Sequence, residues 1–228
     1  MTAHFNSLAD AVRADVLEGR IETAYRPGFY RNHGKRLLDV ALVLLAAPIV
    51  LPLTLLLAIP MALEGGSPFY HQRRVGHGGR TFVMWKLRSM VVDADERLAR
   101  YLRENPEARE EWARHQKLRN DPRITPYGRF LRKLSLDELP QLWNVLTGDM
   151  SLIGPRPMMP HQRALYSGLA YYALRPGVSG FWQVSDRNDS EFVSRVIFDD
   201  LYDREVSMKT DVALILQTLR AVVRGTGL

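Results

Sequence analysis

Two adjacent carboxylates open the most distinctive stretch of the chain. Asp137 and Glu138 lie in residues 135–157, which read SLDELPQLWNVLTGDMSLIGPRP. Apolar residues at helical spacing follow the acids, so the pattern predicts a helix that ends at Gly148. Ser135 and Glu138 fit a capping box, which would place both acids in the first helical turn. The plain alternative is two acids that stabilise a helix dipole, for about 0.3–1 kcal/mol each.

Basic residues near the acids indicate an anionic ligand. Lys86 and Arg88 directly follow a predicted strand, and Arg156 lies in a Gly/Pro turn after the predicted helix. A basic cluster also precedes the acids: Arg129, Arg132 and Lys133. Such residues are usually solvated, but their ammonium and guanidinium groups are also the groups that hold phosphates. Beside two carboxylates, they suggest a site for a polyanion.

An uncharged apolar stretch, residues 40–63, stands out among the elements that must position this site. As a straight helix it would reach ~36 Å, which is long enough to cross a bilayer. Pro48 and Pro52 lie inside it, and each removes a helical hydrogen bond and favours a kink. A single span also cannot put two basic flanks on the cytoplasmic side. Those flanks are Arg31, Lys35 and Arg36 before the stretch, and Arg73, Arg74 and Arg80 after it.

These features favour a re-entrant hairpin bent near Pro48 over a kinked spanning helix. Its legs of ~12 and ~18 Å would be too short for ~30 Å of hydrocarbon, so the chain would enter one leaflet and return. A buried core helix is a third interpretation, against which the length of the stretch argues. We therefore predict three regions: a polar segment 1–34, a membrane hairpin 35–64 and a globular domain 65–228.

The rest of the pattern predicts an α+β fold that is mostly helical, with one short β-hairpin. Segments Pro68–Gln72 and Thr81–Trp85, punctuated by Gly and Pro, are typical of its strands. Charged, exposed helix is expected over 93–120, broken near Pro106, and no catalytic group is expected there. Further helices are expected near 157–172, 192–202 and 209–223. The N-terminal segment has a short helical pattern closed by Gly19, and lacks the apolar core of a signal peptide.

The amino-acid composition excludes some kinds of site but does not identify the ligand or partner. The 228 residues carry 31 basic and 25 acidic side chains, a formal charge of +6. This suits a phosphate-rich ligand, an anionic membrane surface or nucleic acid alike. The sequence has no cysteine, which excludes disulfides and thiolate metal sites.

Several separate stretches together resemble one family, the bacterial sugar transferases that act on polyprenyl phosphate, also known as monotopic phosphoglycosyl transferases. The resemblance runs from about residue 31 to the C-terminus. The matching stretches are Lys35-Arg36-Leu37-Leu38-Asp39, the Pro48 break, Lys86-Leu87-Arg88-Ser89-Met90, residues 135–144, residues 148–157, Arg175-Pro176-Gly177-Val178-Ser179-Gly180 through Gln183 to Arg187-Asn188, and Asp199. The family breaks its membrane helix at a Ser-Pro pair, and here Ala47 replaces that serine.

The resemblance implies roles for individual residues. Asp137 would be the nucleophile, and Glu138, with Asp137 beside it, would bind Mg²⁺. Pro48 and Pro52 would break the membrane segment. The substrate-binding residues would be Lys86, Arg88, Arg156, Arg175, Gln183, Arg187 and Asp199. The sequence Phe198-Asp199-Asp200-Leu201-Tyr202 departs from the family pattern, which leaves both Asp199 and Asp200 open as the site acid.

The resemblance also implies an activity. The chain would transfer a hexose 1-phosphate from a UDP-sugar to undecaprenyl phosphate, releasing UMP through a phosphosugar–aspartate intermediate. This is the first membrane step of exopolysaccharide, capsule or O-antigen synthesis, at the bacterial inner membrane with the catalytic domain facing the cytoplasm. The partners are the UDP-sugar, polyprenyl phosphate and membrane lipid, and no nucleic acid. The insertion 93–120 resembles that of galactose 1-phosphate transferases, so galactose is favoured over glucose.

Two other functions stay open at this point. A membrane-bound, Mg²⁺-dependent nucleotide-sugar hydrolase would use water in place of the lipid phosphate, and would release free sugar phosphate without it. A basic membrane adaptor would have no catalysis, and would keep its function with Asp137 and Glu138 changed.

Overall fold

The first element of the structure is one long apolar helix. A computed structural model describes residues 28–115, 118–185, 192 and 195–225. A π-helical turn, Tyr30–Gly34, leads into α1, Lys35–Leu63. By length and composition, the 34 residues Tyr30–Leu63 could cross a membrane. The short helix predicted before residue 19 lies outside the described residues.

Helix α1 continues through its prolines, which differs from the two short legs that the sequence predicts. Pro48, Pro52 and Pro60 all lie inside the helix. Each lacks the N–H that a helical hydrogen bond needs, so the ladder loses bonds while the helical conformation persists. Thr54 lies one turn past Val50, and its hydroxyl donates to the Val50 carbonyl over 2.7 Å.

Both ends of α1 contact the rest of the domain, while its middle is exposed. Near the N-terminal end, Asp39 accepts hydrogen bonds from Ser151 Oγ (2.7 Å) and the Leu152 N–H (3.0 Å). Near the C-terminal end, the Leu57 carbonyl accepts from Tyr127 Oη over 3.0 Å, and the Met61 carbonyl accepts from Arg88 Nη2 over 2.8 Å. Between these ends the large apolar side chains are mostly exposed: Leu44, Leu45, Ile49 and Leu51.

The predicted β-hairpin is confirmed, and each of its strands continues two or three residues further toward its C-terminal end than expected. Strands β1, Phe69–Val75, and β2, Thr81–Leu87, pair antiparallel around a tight turn. The register sets Tyr70 opposite Lys86, Gln72 opposite Met84 and Arg74 opposite Phe82. Because side chains alternate between faces, these residues share one face of the hairpin.

Helices form most of the remaining structure, largely where the sequence predicts them. The break at Pro106 and the last helix are confirmed, whereas the stretch 157–172 is a 3₁₀ turn (Pro160–Leu165) followed by a single helical turn. The helices are α2 Ala94–Glu104, α3 Pro106–His115, α4 Pro126–Lys133, α5 Gln141–Thr147, α6 Ala170–Ala173, α7 Phe181–Val184, α8 Arg195–Glu205 and α9 Met208–Arg224.

A second two-stranded sheet was not predicted. Strands β3, Ser151–Ile153, and β4, Gly177–Ser179, pair in parallel. The backbones approach so closely that a Cβ on Gly177 would lie 2.1 Å from the Gly154 nitrogen. This pair joins the segment after the acids to the Arg-Pro-Gly segment, and a buried cluster around Ile153, Phe181 and Leu214 supports it.

Candidate active site

The acid pair lies in a short 3₁₀ turn, and not in the first turn of an α-helix. Leu136–Glu138 form this turn, and α5 begins only at Gln141. Ser135 has a left-handed conformation with a φ of 54° and makes no capping hydrogen bond, so the predicted capping box is wrong. Pro140 precedes the first residue of α5, where its missing N–H costs nothing, and this sets the helix start behind the acids. Asp137 therefore does not lie in the first turn of α5.

Lys86 contacts both carboxylates. Its Nζ lies 2.8 Å from Glu138 Oε1 and 3.8 Å from Asp137 Oδ2. Strand β2 carries Lys86 on the face of the hairpin that turns toward the acids, opposite Tyr70. Arg132 is a second cation near Asp137, and its Nε donates to Ser89 Oγ over 2.8 Å.

Burial has the largest effect on the pKa of Asp137. Its side chain is buried, with the residue only 5% exposed, and Glu138 is half-buried. Burial raises the pKa of Asp137 above its ordinary value, and the negative charge of Glu138 raises it further. Lys86 and Arg132 oppose this rise. Loss of either cation would therefore raise the pKa of Asp137 further.

A cavity of about 1780 Å³ opens in front of the acids. It brings together five of the residues singled out by the sequence: Lys86, Arg88, Asp137, Glu138 and Arg156. One wall is the hairpin face with Tyr70, Gln72 and Arg74, and another is made by α2 and α3. The charged insertion, expected to be a plain exposed helix, thus lines the cavity, with Trp112 held under the Arg123 guanidinium at 5.2 Å.

Three other predicted residues do not line the cavity. Arg175 is exposed, and its Nε donates to the Gly148 carbonyl over 3.0 Å. Gln183 is buried, and neither atom of its amide has a hydrogen-bond partner among the described residues. Asp199 is buried and is not among the residues that line the cavity. Arg187 lies outside the described residues. The roles that the resemblance gives these four residues stay predictions.

Asp199 and Asp200 differ in the cation that acts on each of them. The Asp199 carboxylate accepts a hydrogen bond from Tyr166 Oη over 2.7 Å. The positive charge of Arg195, which lines the cavity, acts to lower the pKa of Asp199. Burial raises the pKa of Asp199 to about 7 in spite of these partners. Burial also raises the pKa of Asp200 to about 6, but the cation that opposes the rise there is Arg204. Which of the two acids is the site acid stays a prediction, and neither of them lines the cavity.

Among the residues that line the cavity, Arg74, Trp182 and Arg195 had no predicted role in binding. For Arg74 the sequence held a partial signal, because the alternation of Tyr70 and Gln72 in the predicted strand Pro68–Gln72 reaches Arg74 if the strand continues by two residues. Trp182 and Arg195 come from distant segments, so only the tertiary fold brings them near Lys86 and the acids.

The donor set suits Mg²⁺. No group of three or more His, Asp or Glu side chains converges within the described residues. Two carboxylates facing a cavity are nevertheless enough, because Mg²⁺ keeps several waters and takes its remaining ligands from substrate phosphates. Asp137 and Glu138 provide such a pair. The arrangement can thus place a carboxylate nucleophile, a metal ligand and several cations around one phosphate.

Comparisons with known proteins agree with this chemistry. The family model described as "Bacterial sugar transferase" matches residues 30–225. The chain is 45% identical over 195 residues to the "UDP-galactose-lipid carrier transferase" of Erwinia amylovora, covering 85% of this chain and 41% of the relative. It is 44% identical over 196 residues to the "Exopolysaccharide production protein ExoY" of Rhizobium meliloti, covering 85% and 87%. It is also 44% identical to the "Undecaprenyl-phosphate galactose phosphotransferase" of Salmonella typhimurium, covering 85% and 41%. The matched region is thus less than half of two of these relatives and most of the third.

Proposed function

Since the chain belongs to the bacterial sugar transferase family, we propose that it transfers a hexose 1-phosphate from a UDP-sugar to undecaprenyl phosphate and releases UMP. One observation carries the proposal: the cavity holds Asp137, Glu138 and Lys86 together, with Lys86 within 3.8 Å of both carboxylates. Such a site can attack and stabilise a phosphate group. Galactose 1-phosphate is the first candidate, because two relatives are named for galactose, and glucose 1-phosphate is the second.

In the proposed mechanism, Asp137 is the nucleophile of a two-step displacement. An Oδ of Asp137 attacks the β-phosphorus of the UDP-sugar, and an O–P bond forms as the bond to the α-phosphate oxygen breaks. UMP leaves with that electron pair. An oxygen of undecaprenyl phosphate then attacks the same phosphorus, and the aspartyl–phosphorus bond breaks to return the carboxylate. The exchange is balanced because an aspartyl phosphate is a mixed anhydride, like the bond that it replaces.

The cations of the cavity remove the main obstacle, which is the approach of one anion to another. Lys86, Arg88 and Arg156 line the cavity and can neutralise phosphate charge. Glu138, with Asp137, would hold Mg²⁺, and the bound ion would supply further positive charge at the phosphate oxygens.

We further propose that α1 enters the bacterial cytoplasmic membrane from the cytoplasmic side and does not cross it. The contacts at both ends support this: Asp39 and Met61 both bind the same catalytic domain, 65–228, while Leu45 and Ile49 between them are 77% and 74% exposed. A full span would separate its two ends by the thickness of the bilayer. Exposed leucines and isoleucines match the hydrocarbon, and the basic flanks match the cytoplasmic face.

The proposal is tested with the purified chain in nanodiscs that contain undecaprenyl phosphate. A panel of UDP-sugars is offered, and UMP and lipid-linked sugar are measured, with Asp137→Asn as the inactive variant and Asp149→Asn as the control acid outside the cavity. We expect equal amounts of UMP and lipid product from one or two donors. Sustained UMP release with free sugar phosphate and no lipid product would show a hydrolase. An absence of UMP from every donor would refute the enzyme assignment.

A further inference from the structure

Three guanidinium groups, which we call the arginine cluster, converge at one end of the cavity: Arg74, Arg156 and Arg195. Arg156 and Arg195 lie over the same indole, 5.3 Å and 4.3 Å from the centroid of the Trp182 ring. Arg195 is also 4.6 Å from the ring of Phe192. Arg74 reaches this end from β1, where its Nη1 donates to the Pro157 carbonyl over 3.2 Å.

The arginine cluster contains N–H donors without a hydrogen-bond partner among the described residues, and no carboxylate of the described chain forms an ion pair with it. Arg74 bonds to Pro157 and to Gln72 Oε1, but its buried Nε has no partner among the described residues. The buried Nε of Arg195 likewise has none there. No ion pair joins any of the three to a carboxylate of the described chain. Asp199, the acid close to Arg195, accepts its hydrogen bond from Tyr166.

Burying several positive charges close together is unfavourable, and the lowered pKa values of Arg74 and Arg195 reflect this. Burial, followed by the charge of Arg156, lowers the pKa of Arg74 to about 10 and that of Arg195 to about 9. An anion bound among the three side chains would relieve both the repulsion and the unmet hydrogen bonding.

The position of the cluster separates it from the membrane end of the cavity. Arg88 binds the Met61 carbonyl and marks the end beside α1. Arg74 lies four residues along β1 from Tyr70, which faces Lys86, so the strand carries it about 13 Å further from that end. A water-soluble donor can therefore occupy the arginine end, while the lipid phosphate enters beside α1.

We propose that Arg74, Arg156 and Arg195 form an anion subsite that binds the nucleotide phosphate of the sugar donor, the phosphate that leaves in UMP. This inference rests on the proposed function and adds Arg74 and Arg195 to its binding residues. The alternative source of the same chemistry is the phosphate of the lipid acceptor, and the experiment below separates the two.

Calorimetry with the purified chain in detergent measures the affinity for UMP and for uridine, which lacks the phosphate. Arg74→Gln and Arg195→Gln are compared with Arg80→Gln, an exposed arginine of the same hairpin that does not line the cavity. We expect each cluster variant to weaken UMP binding by at least about tenfold, as for a lost charge-assisted hydrogen bond. Uridine binding and the Arg80→Gln variant should be unchanged.

Further arms settle the source of the phosphate and the folding of the variants. Binding of a short-chain polyprenyl phosphate should be unaffected by Arg74→Gln and Arg195→Gln, and thermal unfolding confirms that the variants are folded. If Gln variants do not fold, Arg74→Lys and Arg195→Lys replace them, and the same loss of UMP affinity is expected because lysine cannot form the guanidinium fork.

Loss of lipid phosphate affinity with UMP affinity intact would overturn the subsite. So would UMP binding that is unmeasurable in the wild type or unchanged in folded variants. The proposed function is tested separately, by measuring the transfer of sugar phosphate to undecaprenyl phosphate by the wild type. A wild type that binds UMP through these arginines and transfers no sugar phosphate would keep the subsite and remove the function.

Discussion

Replacing Lys35 by methionine tests how the long helix is fixed to the domain. Lys35 Nζ lies 2.7 Å from Asp211 Oδ2 on α9 and donates to Tyr202 Oη on α8, also over 2.7 Å. Asp211 also accepts from Tyr30 Oη (2.7 Å) and Tyr202 Oη (2.6 Å), and its side chain is only 2% exposed. Methionine keeps most of the volume of lysine but removes the charge, so Asp211 would stay buried without its cation.

The cost follows from this burial. Removing one partner of a buried ion pair destabilises a protein by about 3–5 kcal/mol. For a domain of this size, each kcal/mol lowers the melting temperature by about 2–4 °C, so the expected fall is between about 6 and 20 °C. Lys35→Met with Asp211→Asn removes both charges, and this double variant should be more stable than Lys35→Met alone.

Thermal unfolding of the purified chain in detergent, followed by tryptophan fluorescence, measures the effect. Lys209→Met is the matched control, because Lys209 is exposed and lies two residues from Asp211 on the same helix. It should melt within about 2 °C of the wild type, as surface substitutions do. A Lys35→Met variant as stable as the control, or a double variant less stable than the single one, would refute the reasoning.

Three further predictions concern the nucleophile, its cation and the backbone. With UDP-sugar and Mg²⁺ but no lipid, the wild type should release about one UMP per site and carry a phosphosugar on Asp137, and Asp137→Asn should do neither; a first turnover that needs lipid, with no mass added to the Asp137 peptide, contradicts this. Lys86→Met removes a cation that lowers the pKa of Asp137, so this pKa rises further and the acid limb of the activity–pH profile should move to higher pH; an unmoved limb contradicts the assignment. Gly128→Ala should lower the melting temperature, because its Cβ would lie 1.9 Å from the Ser89 carbonyl oxygen and must displace backbone at a cost of about 1–3 kcal/mol; an unchanged melting temperature would contradict this prediction.

Cysteine labelling can test the membrane topology of the chain, because the sequence has no cysteine that would react in its place. Single cysteines at Gly28 and Lys209, both exposed positions, should be shielded from a thiol reagent confined to the periplasm of intact cells. Labelling of only one of them would establish a full span.

Local pattern was a good guide to the elements and a poor guide to how the chain closes around the site. Alternation and turn residues predicted the hairpin, and with it the placement of Lys86, because these depend on neighbours in sequence. The left-handed Ser135 could not be read from the sequence, since Ser135 and Glu138 match a capping box whether or not a helix starts there. Strands β3 and β4 have three residues each, too few for any periodicity to show. Arg195 reaches the cavity through the packing of α8, and Arg175 turns to Gly148 instead, outcomes that depend on contacts distant in sequence.

With α1 in the membrane as proposed, its attachment at both ends restricts how the domain can move relative to the bilayer. An enzyme tethered by one helix and a flexible linker can swing and tumble at the surface, and sample many heights. Here Lys35 and Asp39 bind one end of the proposed anchor to the domain and Met61 binds the other, so we expect the domain and the anchor to move together. The proposed lipid acceptor would then reach the cavity by lateral diffusion in its leaflet. Changes in bilayer thickness should act directly on the distance between Asp137 and the lipid phosphate.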